Sequence, residues 1–295
     1  MRTWSQSLIA IVEYFAPTQF VLSFDENCGP VEDILQLDDS KNVIGLNFPE
    51  RMIAIANHQI YADWIYIWCL AHLADKHDAI KIILKKSLEY LPIYGTKLEF
   101  DKDNIINNLQ RSKENKLPMW LVLFPEGTVI SESTRKKSKD YAERMNMQDN
   151  RYTLLPRSTG LRLCTTVLKD NVEYIYDFTI GYSGIASTDI PEEVHTIQSI
   201  FFFNRYPKQV HVHIRKYRID SIPDESKLFD QWVLARWKEK DELMTRFYET
   251  NSFVTKDVAT INVPIKLKNS ILELAQIWIF LVPYLYLLKM VIARN

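Results

Sequence analysis

"MIAIANHQIYADWIYIW", residues 52–68, opens as a strand and closes as a helix. Met52 to Ala56 is a short apolar run of the kind found in strands covered on both faces, and Asn57 breaks it. Apolar and aromatic residues then continue long enough to predict a helix over 60–76. Between the two, His58 and Asp63 are the only charge-capable side chains. Residues five apart on one straight helix are turned away from each other and do not meet. A strand ending at Asn57 changes this, because His58 then lies in the turn and Asp63 in the first turns of the helix. The aspartate can accept the imidazole N–H, fix the tautomer and leave the other ring nitrogen free as a base. A capping histidine beside an unrelated helix-start aspartate is the alternative that the pair alone leaves open.

The same strand–helix alternation recurs along the chain and predicts an α/β fold, a mixed sheet flanked by helices. Further strands are expected at 119–124, 172–180 and 209–217, and helices at 103–115, 158–169 and 226–248. In the third of these strands Val210, Val212 and Ile214 alternate with His211, His213 and Arg215, which predicts one wet face carrying both histidines. The charged run "TRKKSKDYAER", 134–144, reads as a solvated loop or helix start. With 295 residues and 47% hydrophobic residues the chain can bury a sizeable core. A net charge of -1 gives no global field toward nucleic acid, and no nucleic-acid partner is expected. Cys28, Cys69 and Cys164 are far apart, with no metal-ligand spacing, and are read as buried thiols.

The ends suggest a membrane partner. Residues 7–24 are interrupted by Glu13, Pro17 and Gln19, which favours a surface-lying or core helix over a span. Residues 271–292 carry only Glu273 and Lys289 as charges, near the ends, where long side chains can snorkel. At about 1.5 Å per residue this run reaches roughly 33 Å, one hydrocarbon thickness. A C-terminal hydrophobic membrane helix kinked at Pro283 is therefore expected, with a buried terminal helix or hairpin as the other reading. The resulting division is a membrane-proximal segment at 1–50, a catalytic domain at 51–253 and a membrane-anchoring region at 254–295.

"LVLFPEGTVI", residues 121–130, is a second buried strand, breaking into Pro125, Glu126, Gly127 and Thr128. In open α/β sheets ligands bind at such carboxyl ends. Gly127 allows close backbone approach, Thr128 adds a hydroxyl and Glu126 can orient a polar head. No GxSxG nucleophile elbow is present, so a His–Asp pair would activate a hydroxyl on the substrate.

"NHQIYAD" and "FPEGT", in this order, resemble the first and third motifs of the glycerophospholipid acyltransferase family, the lysophosphatidic acid acyltransferases and their relatives. "LLPRSTGL", 154–161, resembles the fourth block, and "YDFTIGYSG", 176–184, the strand after it. Residues 229–253 are similar to the eukaryotic subgroup that includes lysocardiolipin and lysophosphatidylinositol acyltransferases. The resemblance implies that His58 deprotonates the free sn-2 hydroxyl of a lysophospholipid, that Asp63 holds His58, and that the alkoxide attacks the thioester of acyl-CoA, a co-substrate. No metal or cofactor is implied. Glu126, Gly127 and Thr128, with Pro156 and Arg157 of the fourth block, would bind substrate. Acyl-CoA, a lysophospholipid and a membrane are the implied partners. The implied location is the endoplasmic reticulum membrane, with mitochondrial membrane or lipid droplet as alternatives.

Two departures stand out. Val129 occupies a position where the family often has arginine. The second motif, around Pro92 and Gly95, is abbreviated, and no arginine lies between 52 and 110 to meet the acceptor phosphate. Lys97 or Lys102 would replace it only as a point charge. A catalytically impaired, lipid-binding member of the family is the reading this leaves open.

Overall fold

Runs buried on both faces form the middle of the central sheet. In a computed structural model that describes residues 2–82, 102–255, 258–279, 286, 289 and 290, the chain runs from α1 (Arg2–Phe15) into β1 (Gln19–Phe24). A short α2 (Val31–Ile34) and a hairpin of β2 (Leu35–Leu37) and β3 (Val43–Leu46) follow. Next come β4 (Arg51–Ala56), α3 (Asp63–Leu73), β5 (Ile80–Ile82), α4 (Lys102–Glu114), β6 (Met119–Leu123), α5 (Glu132–Arg144) and α6 (Ser158–Leu168). The remainder is β7 (Tyr174–Tyr182), α7 (Pro191–Val194), α8 (Ile197–Phe201), β8 (Gln209–Arg218), α9 (Ser226–Thr250), β9 (Ile261–Pro264) and α10 (Ser270–Ile279).

The described residues form a seven-stranded mixed sheet in the order β5-β6-β4-β7-β8-β1-β9. β5, β6, β4 and β7 are mutually parallel, β8 runs antiparallel to β7, and β1 is parallel to β8. Strand β4 shows why a continuous apolar run was needed. Met52, Ala54 and Ala56 pack into a core with α1 and α3, while Ile53 and Ile55 pack into a second core with α4, α6 and α9. Alternate side chains thus enter opposite layers, and burial of each large apolar one stabilises by about 1.5–3 kcal/mol.

Several expectations change. Pro17, lacking an N–H, ends the first helix, and residues 19–24 form β1 instead of continuing it. β1 and β9 lie in the same sheet as β4, so both ends of the chain contribute to it. The wet face expected for β8 is absent: His211 and His213 are both 5% exposed. β8 is an interior strand, and the end of α9 and the segment after it cover that face, with Phe247 against His211 and Phe253 against His213. Burial drops both histidines to about 4, so they stay neutral. The charged run at 134–144 lies within α5, opened by a capping box between Ser131 and Thr134. Cys28, Cys69 and Cys164 are free and buried, as their spacing suggested.

Among the described residues no helix is long and apolar enough to cross a membrane. α10 takes up the first part of the run at 271–292, and most of the rest lies outside the described residues. Glu273 does not snorkel as its position suggested. It is buried, accepts hydrogen bonds from Gln6 Nε2 (2.9 Å) and Asn269 N–H (3.1 Å), and lies 3.3 Å from His72 Nε2, joining α10 to α1 and α3.

Candidate active site

Because β4, β6 and β7 are parallel, their carboxyl ends converge on one sheet edge, and each delivers a piece of the site there. β4 delivers the turn that starts at Asn57. This side chain is fully buried and continues the ladder, with Nδ2 donating to Ile180 O (2.9 Å) and Oδ1 accepting from Ile180 N–H (2.8 Å). The strand therefore ends at a fixed point, and His58 turns out of it.

His58 Nδ1 lies 2.8 Å from Asp63 Oδ2, in the first turn of α3. The carboxylate only accepts, so Nδ1 carries the proton and Nε2 is left with its lone pair. Asp63 is fully buried, whereas the His58 side chain keeps 17% exposure, so one partner is fixed and the other reachable. The imidazole stacks on Phe124, ring centroids 4.4 Å apart. Asp63 Oδ2 also accepts from the N–H groups of Gln59 (2.7 Å) and Ile60 (3.2 Å), and Oδ1 accepts from the Tyr182 hydroxyl at the end of β7. Burial, and then the charge of Asp63, push the Tyr182 phenol well above its ordinary range, so it remains a donor.

β6 delivers Glu126 and its loop. Glu126 is 3% exposed and faces inward: Oε1 accepts from His58 N–H (3.2 Å) and Trp237 Nε1–H (3.1 Å), and Oε2 from Leu154 N–H (3.0 Å). Burial pushes its carboxyl up to about 7, against those three donors and the nearby His58, which pull it down. Gly127 has φ +72°, and its N–H donates to Phe124 O (2.8 Å), closing a tight turn in a conformation that favours glycine. Thr128 follows, half-buried; Val129 is buried and presents no cation.

The segment at 151–157 is drawn onto this loop. Arg157 N–H donates to Pro125 O (2.8 Å), and Gln59 Nε2 to Tyr152 O (3.0 Å). Asp241 of α9 accepts from the N–H groups of Arg151, Tyr152 and Thr153, at 2.8, 2.6 and 2.9 Å. Pro156 is half-buried and the Arg157 side chain exposed, so this arginine meets the loop through its backbone. The sequence reading therefore brought together His58, Asp63, Glu126, Gly127 and the 156–157 backbone. Pro92, Gly95 and Lys97 of the second motif lie outside the described residues.

Asn57, Gln59, Tyr182, Trp237 and Asp241 were not singled out. Asn57 and Gln59 stood inside the quoted motif, and Tyr182 ends a strand whose carboxyl end could have been suspected. Trp237 and Asp241 had no such signal. Tyr182→Phe is expected to lower kcat about tenfold with KM unchanged, the loss of one hydrogen bond to a charged group, while its ring still packs on Tyr66. Steady-state kinetics checks this, and an unchanged kcat would detach Tyr182 from the dyad.

Residues 41–163 match the family model described as Acyltransferase, and residues 201–278 the one described as Acyltransferase C-terminus. The chain is 33% identical over 316 residues to 2-acyl-1-lysophosphatidylinositol acyltransferase of Saccharomyces cerevisiae, covering 92% of this chain and 79% of that protein. It is 32% identical over 216 residues to Lysocardiolipin acyltransferase 1 of Danio rerio, covering 68% and 53%. The crystal structure of the 1-acyl-sn-glycerophosphate acyltransferase of Thermotoga maritima aligns over 83% of this chain and 78% of that one, with a TM-score of 0.45 and 14% identity. On the family models and the yeast relative, the chain belongs to the glycerophospholipid acyltransferase family and is an acyltransferase.

Proposed function

We propose that the protein transfers an acyl group from acyl-CoA to a free hydroxyl of a lysophospholipid held at a membrane surface. The observation that carries this is the His58–Asp63 contact with Nε2 unengaged, and with no serine or cysteine hydrogen-bonded to the imidazole among the described residues. Nε2 takes the proton of the lipid hydroxyl as its oxygen attacks the thioester carbonyl. The tetrahedral adduct collapses, the C–S bond breaks, and the CoA thiolate recovers the proton from Nε2. Asp63 holds the imidazolium between these steps, and no acyl-enzyme forms. Gly127 and Thr128, with the backbone at Pro156 and Arg157, border the acceptor; Glu126 acts from below by fixing the turn.

The lysophospholipid class is supported by the relatives' names. Those names divide over position: a 2-acyl-1-lyso acceptor has its hydroxyl at sn-1, whereas 1-acyl acceptors have it at sn-2. The sn-2 hydroxyl expected from the motifs is thus tested by offering both isomers. Membrane contact is supported by exposed apolar side chains, among them Phe202, Phe203, Ile271 and Trp278. Placement at the endoplasmic reticulum rests on the motif resemblance and is checked by imaging the full chain in cells. The deciding experiment is release of free CoA thiol by purified protein, with acyl-CoA and a panel of 1-acyl and 2-acyl lysolipids. Lipid-dependent release is expected. Release with no lysolipid of the panel, or none at all while lysolipid still binds, would replace this reading with another.

A further inference from the structure

Beside the dyad, on the same sheet edge, lies a cavity of about 640 Å³ lined by Ser183, Glu193, His195, Arg205, Lys208 and Gln209 among others. That volume suits a small ligand or a headgroup. β8 runs antiparallel to β7, so Gln209 at its start adjoins the end of β7, where Tyr182 reaches Asp63. Ser183 follows Tyr182 directly, and the Tyr182 ring meets that of His195 at 6.4 Å. Glu192, next to Glu193, lies beside the Tyr61 hydroxyl and within electrostatic reach of His58. The cavity and the base are therefore neighbours.

Its lining has a definite chemistry. Arg205 and Lys208 are exposed and enter no ion pair among the described residues. Burial lowers the pKa of His195, against the pull of the two carbonyls that face its nitrogens, Ser183 O at 3.2 Å and Arg205 O at 3.4 Å. Two cations against the single carboxylate of Glu193 leave the lining net positive. Ser183 Oγ accepts from Gln209 N–H (2.9 Å) and keeps its own proton to donate. Lys208 Nζ sits 3.6 Å from the Tyr206 ring centroid, so that face is already taken and cannot hold a quaternary ammonium. Between His195 and Arg205 the chain carries Phe202 and Phe203, 77% and 65% exposed.

We infer that this cavity takes the headgroup of the acceptor lipid, an anionic phosphodiester bearing hydroxyls, with Arg205 and Lys208 on the phosphate and Glu193, Ser183 and Gln209 on the hydroxyls. The inference rests on the acyl-acceptor reading above. It fits the arrangement of cations, which grip phosphate through charge-assisted hydrogen bonds, and of mixed donors and acceptors, which suit a polyol. The exposed Phe202 and Phe203, close before Arg205 in the chain, are apolar side chains that a lipid surface can take up.

The test uses the full chain carrying R205Q and K208Q together; both side chains are exposed, so folding is not at stake. Equilibrium binding of fluorescent lysophosphatidylinositol is expected to weaken at least about tenfold, and KM for the same lipid to rise about tenfold with kcat within about twofold. Lysophosphatidylcholine, whose quaternary ammonium the cavity does not accommodate, should bind wild type and variant equally weakly. The water-soluble glycerophosphoinositol should compete for the wild-type cavity, whereas inorganic phosphate should not. Unchanged lysophosphatidylinositol binding overturns the inference, as does equal competition by inorganic phosphate, which reduces the cavity to a simple anion site. Binding is read apart from turnover. A wild-type protein that binds in this way but releases no CoA overturns the transferase reading and leaves the cavity assignment standing.

Discussion

With His58 replaced by alanine, kcat for acyl transfer is expected to fall by about 10³-fold or more while KM for both substrates stays near its wild-type value. Base catalysis by a positioned imidazole supplies about 10²–10⁴-fold, and Nε2 of His58, with Nδ1 held by Asp63, is the lone pair placed for it. Folding should survive. The side chain is partly exposed, and its loss leaves Asp63 still bonded to two backbone N–H groups and to Tyr182. The cost is the stack on Phe124, within about 1 kcal/mol in a denaturant midpoint. Asp63→Asn should reach a similar rate loss by another route. The amide oxygen can still face Nδ1 and the two backbone N–H groups, but it carries no charge, so the imidazolium that forms as Nε2 takes the proton loses its counter-ion. The measurement is CoA release by each purified variant beside its unfolding curve. An active, folded H58A protein would take the imidazole out of the reaction.

That this pair could be found before any coordinates has a physical reason. β4 and β6 are covered on both faces, so they appear as unbroken apolar runs, and the first polar residues after them mark the sheet edge where side chains become available. The site was legible because it sits at those breaks. Where the pattern misled, a distant element supplied the cover. His211 and His213 alternate with valines as on a half-wet strand, yet Phe247 and Phe253, far along the chain, bury them. Local alternation cannot reveal which helix will lie over a strand. β5 and β9, of three and four residues, were too short to register. Lys240 carried a signal that went unused: it stands in the buried stripe of α9 with Phe229, Val233, Trp237 and Met244, and there pairs with Asp177, which also holds Arg215. A lysine on the apolar face of a helix implies a buried partner. Glu126 was legible as a loop residue but not in its orientation, which depends on Trp237 and Leu154, both remote from it in sequence.

Glu126→Gln is expected to make the protein more stable at alkaline pH and less active. The carboxyl titrates at about 7 when folded, against 4.5 for an ordinary glutamate, because burial opposes its charge. A folded value above the unfolded one adds stability that is full below about 4.5 and is lost as pH rises through about 7, since over that window the unfolded chain holds fewer protons. The difference, near 2.5 units at about 1.4 kcal/mol each, amounts to about 3 kcal/mol. Glutamine has the shape of the protonated acid and never ionises, so the variant should match wild type near pH 4.5 and exceed it by about 3 kcal/mol at pH 8. The charge nevertheless has a use, because it draws the N–H groups of His58, Leu154 and Trp237 onto one carboxylate and so binds the catalytic turn, the 151–157 segment and α9 together. With the charge gone, one of these donors faces an amide N–H₂, the turn loosens, and a shift of about 1 Å at His58 is enough to lower kcat about 10²-fold. Urea titrations from pH 4.5 to 8 and kcat at pH 8 check both halves. A variant whose stability falls with pH as steeply as wild type would show that the titrating group lies elsewhere.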